Sequence, residues 1–441
     1  FWNGGATGDW GNGDNWFGGN IPGSLHTAVY DNVPFNEGVS DFIVDLTEAH
    51  IVVNSQFRNG DWTIRQNGNA YRSEPDGMQI AIVETDNARA VFRDGPTITS
   101  SVRIADLRGS TGSLTVTGSG ARFDVGSATG SGDGTVRVGL SGEGELHILQ
   151  GATLDTTGAV VLGNYLEGEG SARFSDTGTT VNVGGDFVVG GHSRGEAEIV
   201  LGAAATVAEQ LLVGRRVSSE GTLRIGGVGS SLEIVEGTFV GVRSDGSMRI
   251  DTGGSATSKR DAVIGWFDGD DFTGAGEVNV VGRSPGGAAS SWTVEGKLTV
   301  GFKDKGLLDV TDGALLTTKD DVVVADKTGS ALSSLVVKGD GSVWDGNDPA
   351  FSTAFVGRDD AGGLSVLDGA AAQLNTLAIA AGEGVFATVV VDEASLETKS
   401  IDIGRAGQAS FTARGADTTV DVDADLKFAI RETGQGEALI E

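Results

Sequence analysis

The chain has 441 residues, no cysteine, 72 glycines and a formal net charge of -30. Disulfide stapling and thiol chemistry are excluded, so acidic a chain is a poor partner for nucleic acid or anionic membrane, and no apolar run reaches the roughly 18 residues of a membrane-spanning helix. With 39% hydrophobic and 21% charged residues this is the composition of a folded chain, and glycine at more than twice the usual ~7% demands many tight turns.

The chain opens on FWNGGATGDWGNGDNWFGGNIPG and continues through the short stretches TAVYDN, FIVDL, HIVV, WTIRQ, MQIAIVE and RAVFRD. Residues 1–108 lack the regular spacing found later and are read as an aromatic-rich cap with irregular first coils. Trp2, Trp10, Trp16 and Phe17 are crowded at the start. Aromatics so placed either cover a sticky open end or offer a stacking surface, so these four are candidate ligand or assembly contacts.

From residue 109 a repeat takes over. A hydrophobic triplet ends in glycine or alanine at Gly139, Gly163, Gly190, Gly214, Gly241, Gly265, Gly301, Ala325, Gly357, Ala380, Gly404 and Ala429. The interval is about 24 residues, and intervals of 24 and 27 alternate over the first part of the series. Between these marks run stretches such as GELHI, GEAEI, GTLRI and GSMRI, with apolar residues at every second position, the pattern of a half-buried strand. A third element, as in GATLDT and GALLTT, follows. Three short strands per unit without helical periodicity predict an all-β parallel β-helix, a solenoid of about 12 or more coils. Residues 109–441 are its regular part. Each triplet-glycine is expected to be a strand running into a sharp corner.

The search for chemistry gives little. GHSRG at 191–195 matches G-x-S-x-G with Ser193 in the nucleophile position, but another strand pattern follows where the motif needs a helix. The four histidines are scattered, with no zinc-site spacing. No phosphate-binding glycine loop ending in Gly-Lys-Ser/Thr occurs. WFDGDDF at 266–272, in the longest interval, contributes Asp268, Asp270 and Asp271 as candidate Ca²⁺ ligands, and Trp266 and Phe267 as candidate contacts. WDGNDPAFST at 344–353 adds Trp344. In VDVDAD, Asp421, Asp423 and Asp425 alternate with apolar residues, so a strand would present the three carboxylates on one outward face for a hard cation. No cofactor is required by any of this, and Ca²⁺ is the ion the acidic clusters suggest.

The opening W-N-G-G-A-T-G-D-W…N-W…G-G-N-I-P-G…T-A-V-Y-D-N, and the alternation of long units (TLRIGGVGSSLEIVEGTFVG) with short ones (LLDVTDGALLTTKDDVVVA), resemble the autotransporter-associated β-strand repeats of large Gram-negative surface and secreted proteins. The resemblance covers most of the chain. It implies a right-handed β-helix located outside the cell or on its outer surface, and a role as adhesin, matrix component or stalk. The chain stops at GQGEALIE within the repeat pattern, without a carboxy-terminal membrane barrel, so the export route stays open. The expected function is a non-catalytic structural or adhesive scaffold, with assembly into an extracellular fibre or biofilm matrix as one form of it; the alternative is a polysaccharide-binding or polysaccharide-cleaving β-helix. The expected partners are further copies, joined head-to-tail or laterally, or surface glycans.

Overall fold

The computed structural model describes residues 1–31, 41–126, 132–266, 274–330, 332–346, 352–431 and 433–441. Residue contacts divide the chain into two compact units, Phe1–Glu209 and Gln210–Glu441. Each is an all-β parallel β-solenoid, and together they supply about 15 turns. A typical coil has a seven-residue strand, a four-residue strand and a three-residue strand, as in Glu143–Leu149, Thr153–Thr156 and Val160–Leu162. Each strand pairs in parallel register with its equivalents in the coils before and after.

The register places like on like. In unit 1 the columns Leu114–Leu146–Ala172–Ala197 and Val116–Ile148–Phe174–Ile199 run along the interior, every member 4% exposed or less. No coil can bury its own apolar face; the neighbours do it.

The triplet ends in a left-handed corner, as expected. Gly139, Gly163, Gly190, Gly214, Gly241, Gly265, Gly301, Gly357 and Gly404 have φ between 65° and 85°. A Cβ on Gly163 would overlap the carbonyl oxygen of Arg194 in the next coil. The glycine that opens each long strand lies against the corner: a Cβ on Gly144 would overlap the backbone nitrogen of Gly139, and one on Gly170 that of Gly163. Two glycines per coil, set against each other, explain much of the composition. Ala325, Ala380 and Ala429 hold the same corner at φ 60°, 53° and 49°. The Ala325 methyl is tolerated because it packs over Gly362, which has no side chain of its own.

The same corner also recurs inside residues 1–108. Ala81 and Ala105, at φ 53° and 56°, end strands whose residues Met78–Ile80 and Val102–Ile104 stand in register with Val136–Val138. These two corners were passed over in the sequence because 34 residues separate Ala105 from Gly139, well off the period of about 24. The long-strand column likewise begins early, with Asp41–Asp45 on Asp61–Arg65, Gly60–Arg65 on Ala88–Arg93, and Asn87–Arg93 on Thr111–Thr117.

The alternation of 24 and 27 has a physical cause. Two of the three extra residues follow the corner, where 164–169 replaces 140–143. The third is in the turn, where 176–179 replaces 150–152. The short turns have positive φ at both central residues, as at Gln150–Gly151, Leu201–Gly202, Thr252–Gly253, Asp312–Gly313 and Asp368–Gly369, the geometry that right-twisted strands favour. The longer turns end in a hydroxyl that reaches back one coil. Thr179 Oγ1 accepts the Gly151 N–H at 3.0 Å and donates to the Ser175 carbonyl at 2.6 Å. Ser290 accepts from Gly253 (3.0 Å) and Ser342 from Gly313 (2.9 Å) in unit 2, and Ser342 also donates to the Lys338 carbonyl at 2.7 Å. Ser342 is fully buried. Ser342→Ala is therefore expected to destabilise the protein by about 1–3 kcal/mol, because it orphans the buried Gly313 N–H, while the Lys338 carbonyl keeps the Asp312 N–H; urea unfolding of the variant would measure this.

Candidate binding groove

The aromatic candidates separate by strand parity. Trp2, Trp10 and Trp16 are 0%, 0% and 2% exposed. They pack edge-on at centroid distances of 5.2 Å (Trp2–Trp16) and 4.6 Å (Trp10–Trp16), and Trp16 Nε1 donates to the Trp10 carbonyl at 3.0 Å. Trp344 is 1% exposed and its Nε1 donates to Thr318 Oγ1 at 3.1 Å. These four rings present no face to a ligand: alternation, or the closing of the first loop, turns them inward. Phe17 is 63% exposed. Trp266 is half-buried on the outer side, 4.8 Å from the Phe239 ring. Phe267, Asp268, Asp270 and Asp271 lie outside the described residues.

The VDVDAD carboxylates are exposed but are not evenly set. Strand Thr419–Phe428 pairs with Ser395–Ile403 with Asp421 on Glu397 and Asp425 on Ser400, and the register shifts between them. Two residues, Asp423 and Ala424, thus stand opposite one, and the regular alternation breaks. Asp425 is paired with Lys427 at 3.0 Å. Among the described residues no three His, Asp or Glu side chains are grouped to hold a metal ion. Ser193 Oγ donates to the Gly168 carbonyl within the loop after a corner, and a seven-residue strand follows it.

What sequence reading missed is a concave surface on unit 1. Along the outer face of the long-strand column, Thr111, Glu143, Glu169 and Arg194 stand in register, as do Ser113, Glu145, Ser171 and Glu196 two residues on. The strand-opening glycines Gly144 and Gly170 form the floor of a depression of about 240 Å³. A neighbouring one of about 250 Å³ shares Thr111 and Glu143 and adds Arg108 and Glu167, which pair at 3.0 Å. Glu145 lies 3.2 Å from His147 Nε2, and Arg194 is paired with Glu196. Glu143 and Glu169 are directly opposite on adjacent strands, where like charges repel. The signal was present in the sequence: E-G-E, E-G-S and R-G-E flank three successive strand glycines. Only the register shows that they converge.

Elsewhere the ladders also stack acids. Asp41 and Asp61 are register partners. Burial raises the Asp61 carboxyl, Arg89 lowers it, and Asp41 adds to the rise, with the net direction upward. Asp309 is pushed up by burial and by Glu277. Asp251, 7% exposed, is the opposite case. Burial alone would raise it, but hydrogen bonds from Arg224 (3.0 and 2.9 Å), Thr252 (2.7 Å) and Arg249 (2.9 Å) outweigh that and hold it at about 2. Its folded value lies below the unfolded one of about 3.9, so the stabilisation is present above about pH 4 and is lost as pH falls towards 2. We expect a loss of roughly 2 kcal/mol over that window, measured by urea unfolding at stepped pH, and a shallower slope in Asp251→Asn.

No family model matches the chain, and no curated protein does. A solved structure of the TibC-catalysed hyper-glycosylated TibA fragment covers 95% of this chain and 100% of its own at 15% identity and a TM-score of 0.20. A likeness at that score carries no argument here, so the solenoid stands on the strand register alone. Among the described residues no helix is long and apolar enough to cross a membrane.

Proposed function

We propose that the chain is a non-catalytic structural or adhesive scaffold of a surface or secreted bacterial protein, in the manner of the autotransporter-associated β-strand repeats its sequence resembles. The observation that carries this reading is the unbroken seven-residue register beneath the groove, from Thr111–Thr117 through Arg194–Val200. Between Thr111–Thr117 and Arg194–Val200 the strands run in continuous register. The rigid face displays repeated side chains, which suits adhesion or lateral packing. A second reading, glycan binding, is favoured by the groove, whose carboxylates can accept hydrogen bonds from sugar hydroxyls. Glycan-array binding that Glu143→Gln/Glu169→Gln abolishes would establish it; polysaccharide cleavage lost in the same variant would sink the non-catalytic reading.

Self-association, head-to-tail or lateral, is part of the same proposal. Electron microscopy with and without Ca²⁺ tests this. Fibres are expected. Single particles from the native chain under both conditions would refute self-association and leave surface adhesion in place.

A further inference from the structure

The geometry points to an acid-released lid: residues 1–17 close over the first coils of unit 1, and His50 beneath Trp10 is the group whose protonation opens them. The inference stands apart from the scaffold reading and needs no ligand.

The lid is a closed loop. Asn3 N–H donates to the Asn15 carbonyl at 2.7 Å and Phe17 N–H to that of Phe1 at 2.8 Å. It is attached to the coils below by few backbone bonds: Trp2 to the Val29 carbonyl (3.0 Å), Trp10 to that of Asp45 (3.0 Å), Ile43 to that of Ala6 (2.8 Å), and the three-residue strand Thr7–Asp9. Coils farther on are joined through seven-residue strands. The lid is thus held by a sparser backbone ladder than those coils, and its closure rests chiefly on the buried rings of Trp2, Trp10 and Trp16.

His50 begins strand His50–Arg65, and its backbone N–H donates to the Ala70 carbonyl at 3.0 Å. The residue is 7% exposed. Its ring lies 5.1 Å from that of Trp10, which also packs against Tyr71 at 5.5 Å and Tyr30 at 5.9 Å. His50 Nε2 has no hydrogen-bond partner among protein atoms, nor has Trp10 Nε1. A proton added to Nε2 therefore meets no acceptor in the pocket.

The charged and titratable groups around it come from each neighbouring element. Asp9 comes from the lid strand, Glu48 from the turn before His50, Tyr30 from strand Thr27–Asp31 and Tyr71 from strand Tyr71–Ile80. The two tyrosines are buried, with Tyr71 pushed up to about 12 and Tyr30 raised as well, so both are neutral at physiological pH. Asp9 is already committed to Gly11 N–H and Thr47 Oγ1, both at 3.0 Å. Burial lowers the His50 imidazole, and the pull of Glu48 and Asp9 in the other direction does not restore it. In the open state the imidazole takes its proton near the ordinary value of about 6.5. The closed state binds fewer protons, so closure is favoured at neutral pH and loses ground as pH falls below about 6.5. Opening uncovers Tyr30 and the outer edges of strands Thr27–Asp31 and Asp41–Asp45, and a bare strand edge recruits other chains.

Hydrogen exchange of the full chain, read by mass spectrometry and corrected for intrinsic rate, tests this. Peptides within residues 1–17 are expected to exchange about tenfold faster at pH 5 than at pH 7, while a reference peptide over Glu143–Ser175 stays level. His50→Phe or His50→Asn should remove the difference, and His26→Gln should keep it. Proton NMR of the native chain gives a readout free of variants: the His50 ring should titrate below the ordinary histidine range. Equal protection of residues 1–17 at both pH values, an unchanged response in the His50 variants, or a His50 titration at or above 6.5 would each overturn the inference.

Discussion

Gly163→Val is expected to cost about 3–5 kcal/mol and to lower the unfolding midpoint in urea accordingly. Two terms add. A β-branched residue at φ 65° is strained by about 1–2 kcal/mol. Its Cβ also overlaps the Arg194 carbonyl oxygen of the next coil, and backbone cannot yield there without breaking the register of Glu169–Ser175 on Arg194–Val200. The counterpart is Ala325→Gly. That corner already carries a methyl, seated over Gly362, so removing it relieves left-handed strain while adding freedom to the unfolded chain, and the net change should stay within about 1 kcal/mol. Equal effects at the two corners would show that the glycine is chosen for turn propensity alone and not for the close approach of the coils.

The corner was legible because it is written in one residue type at one spacing. Its earlier members, Ala81 and Ala105, were passed over although alanine reaches the same φ, since the 34 residues from Ala105 to Gly139 break the spacing. The alternation of long and short coils was equally legible, but its cause was hidden. Thr179, Ser290 and Ser342 read as ordinary turn residues until their bonds to the preceding coil are seen. The groove was missed for a related reason. Glu143, Glu169 and Arg194 are separated by 25 residues or more in the chain, and each alone is an outward polar residue on an amphipathic strand. Function in a solenoid belongs to columns, and a column appears only when the register is known. Parallel stacking also sets like charges side by side, as at Glu143–Glu169 and Asp41–Asp61. A chain of net charge -30 accepts this where cations screen the face.

Trp344→Ala is expected to destabilise by about 3–5 kcal/mol, the usual cost of emptying a buried large aromatic site, whereas Trp266→Ala should cost about 1 kcal/mol. In sequence the two tryptophans look alike, each beside acids and glycines in a long interval. The difference is parity. Trp344 is the second residue of strand Val343–Gly346, in register with Leu316 on one side and Ala372 on the other. It therefore points inward and is 1% exposed, with its indole nitrogen bonded to Thr318. Trp266 follows the corner glycine Gly265 and ends its strand on the outer side, where it stacks on Phe239. The period held a clue, because Trp292 is also the second residue of a four-residue strand, Ser291–Val294, and is also fully buried. Thermal and urea unfolding of both variants, read beside their glycan binding, separates the roles. Trp344→Ala should lose stability and keep any binding per folded molecule. A ligand affinity that falls with Trp344 at unchanged stability would place that ring on the surface and contradict the column that holds it.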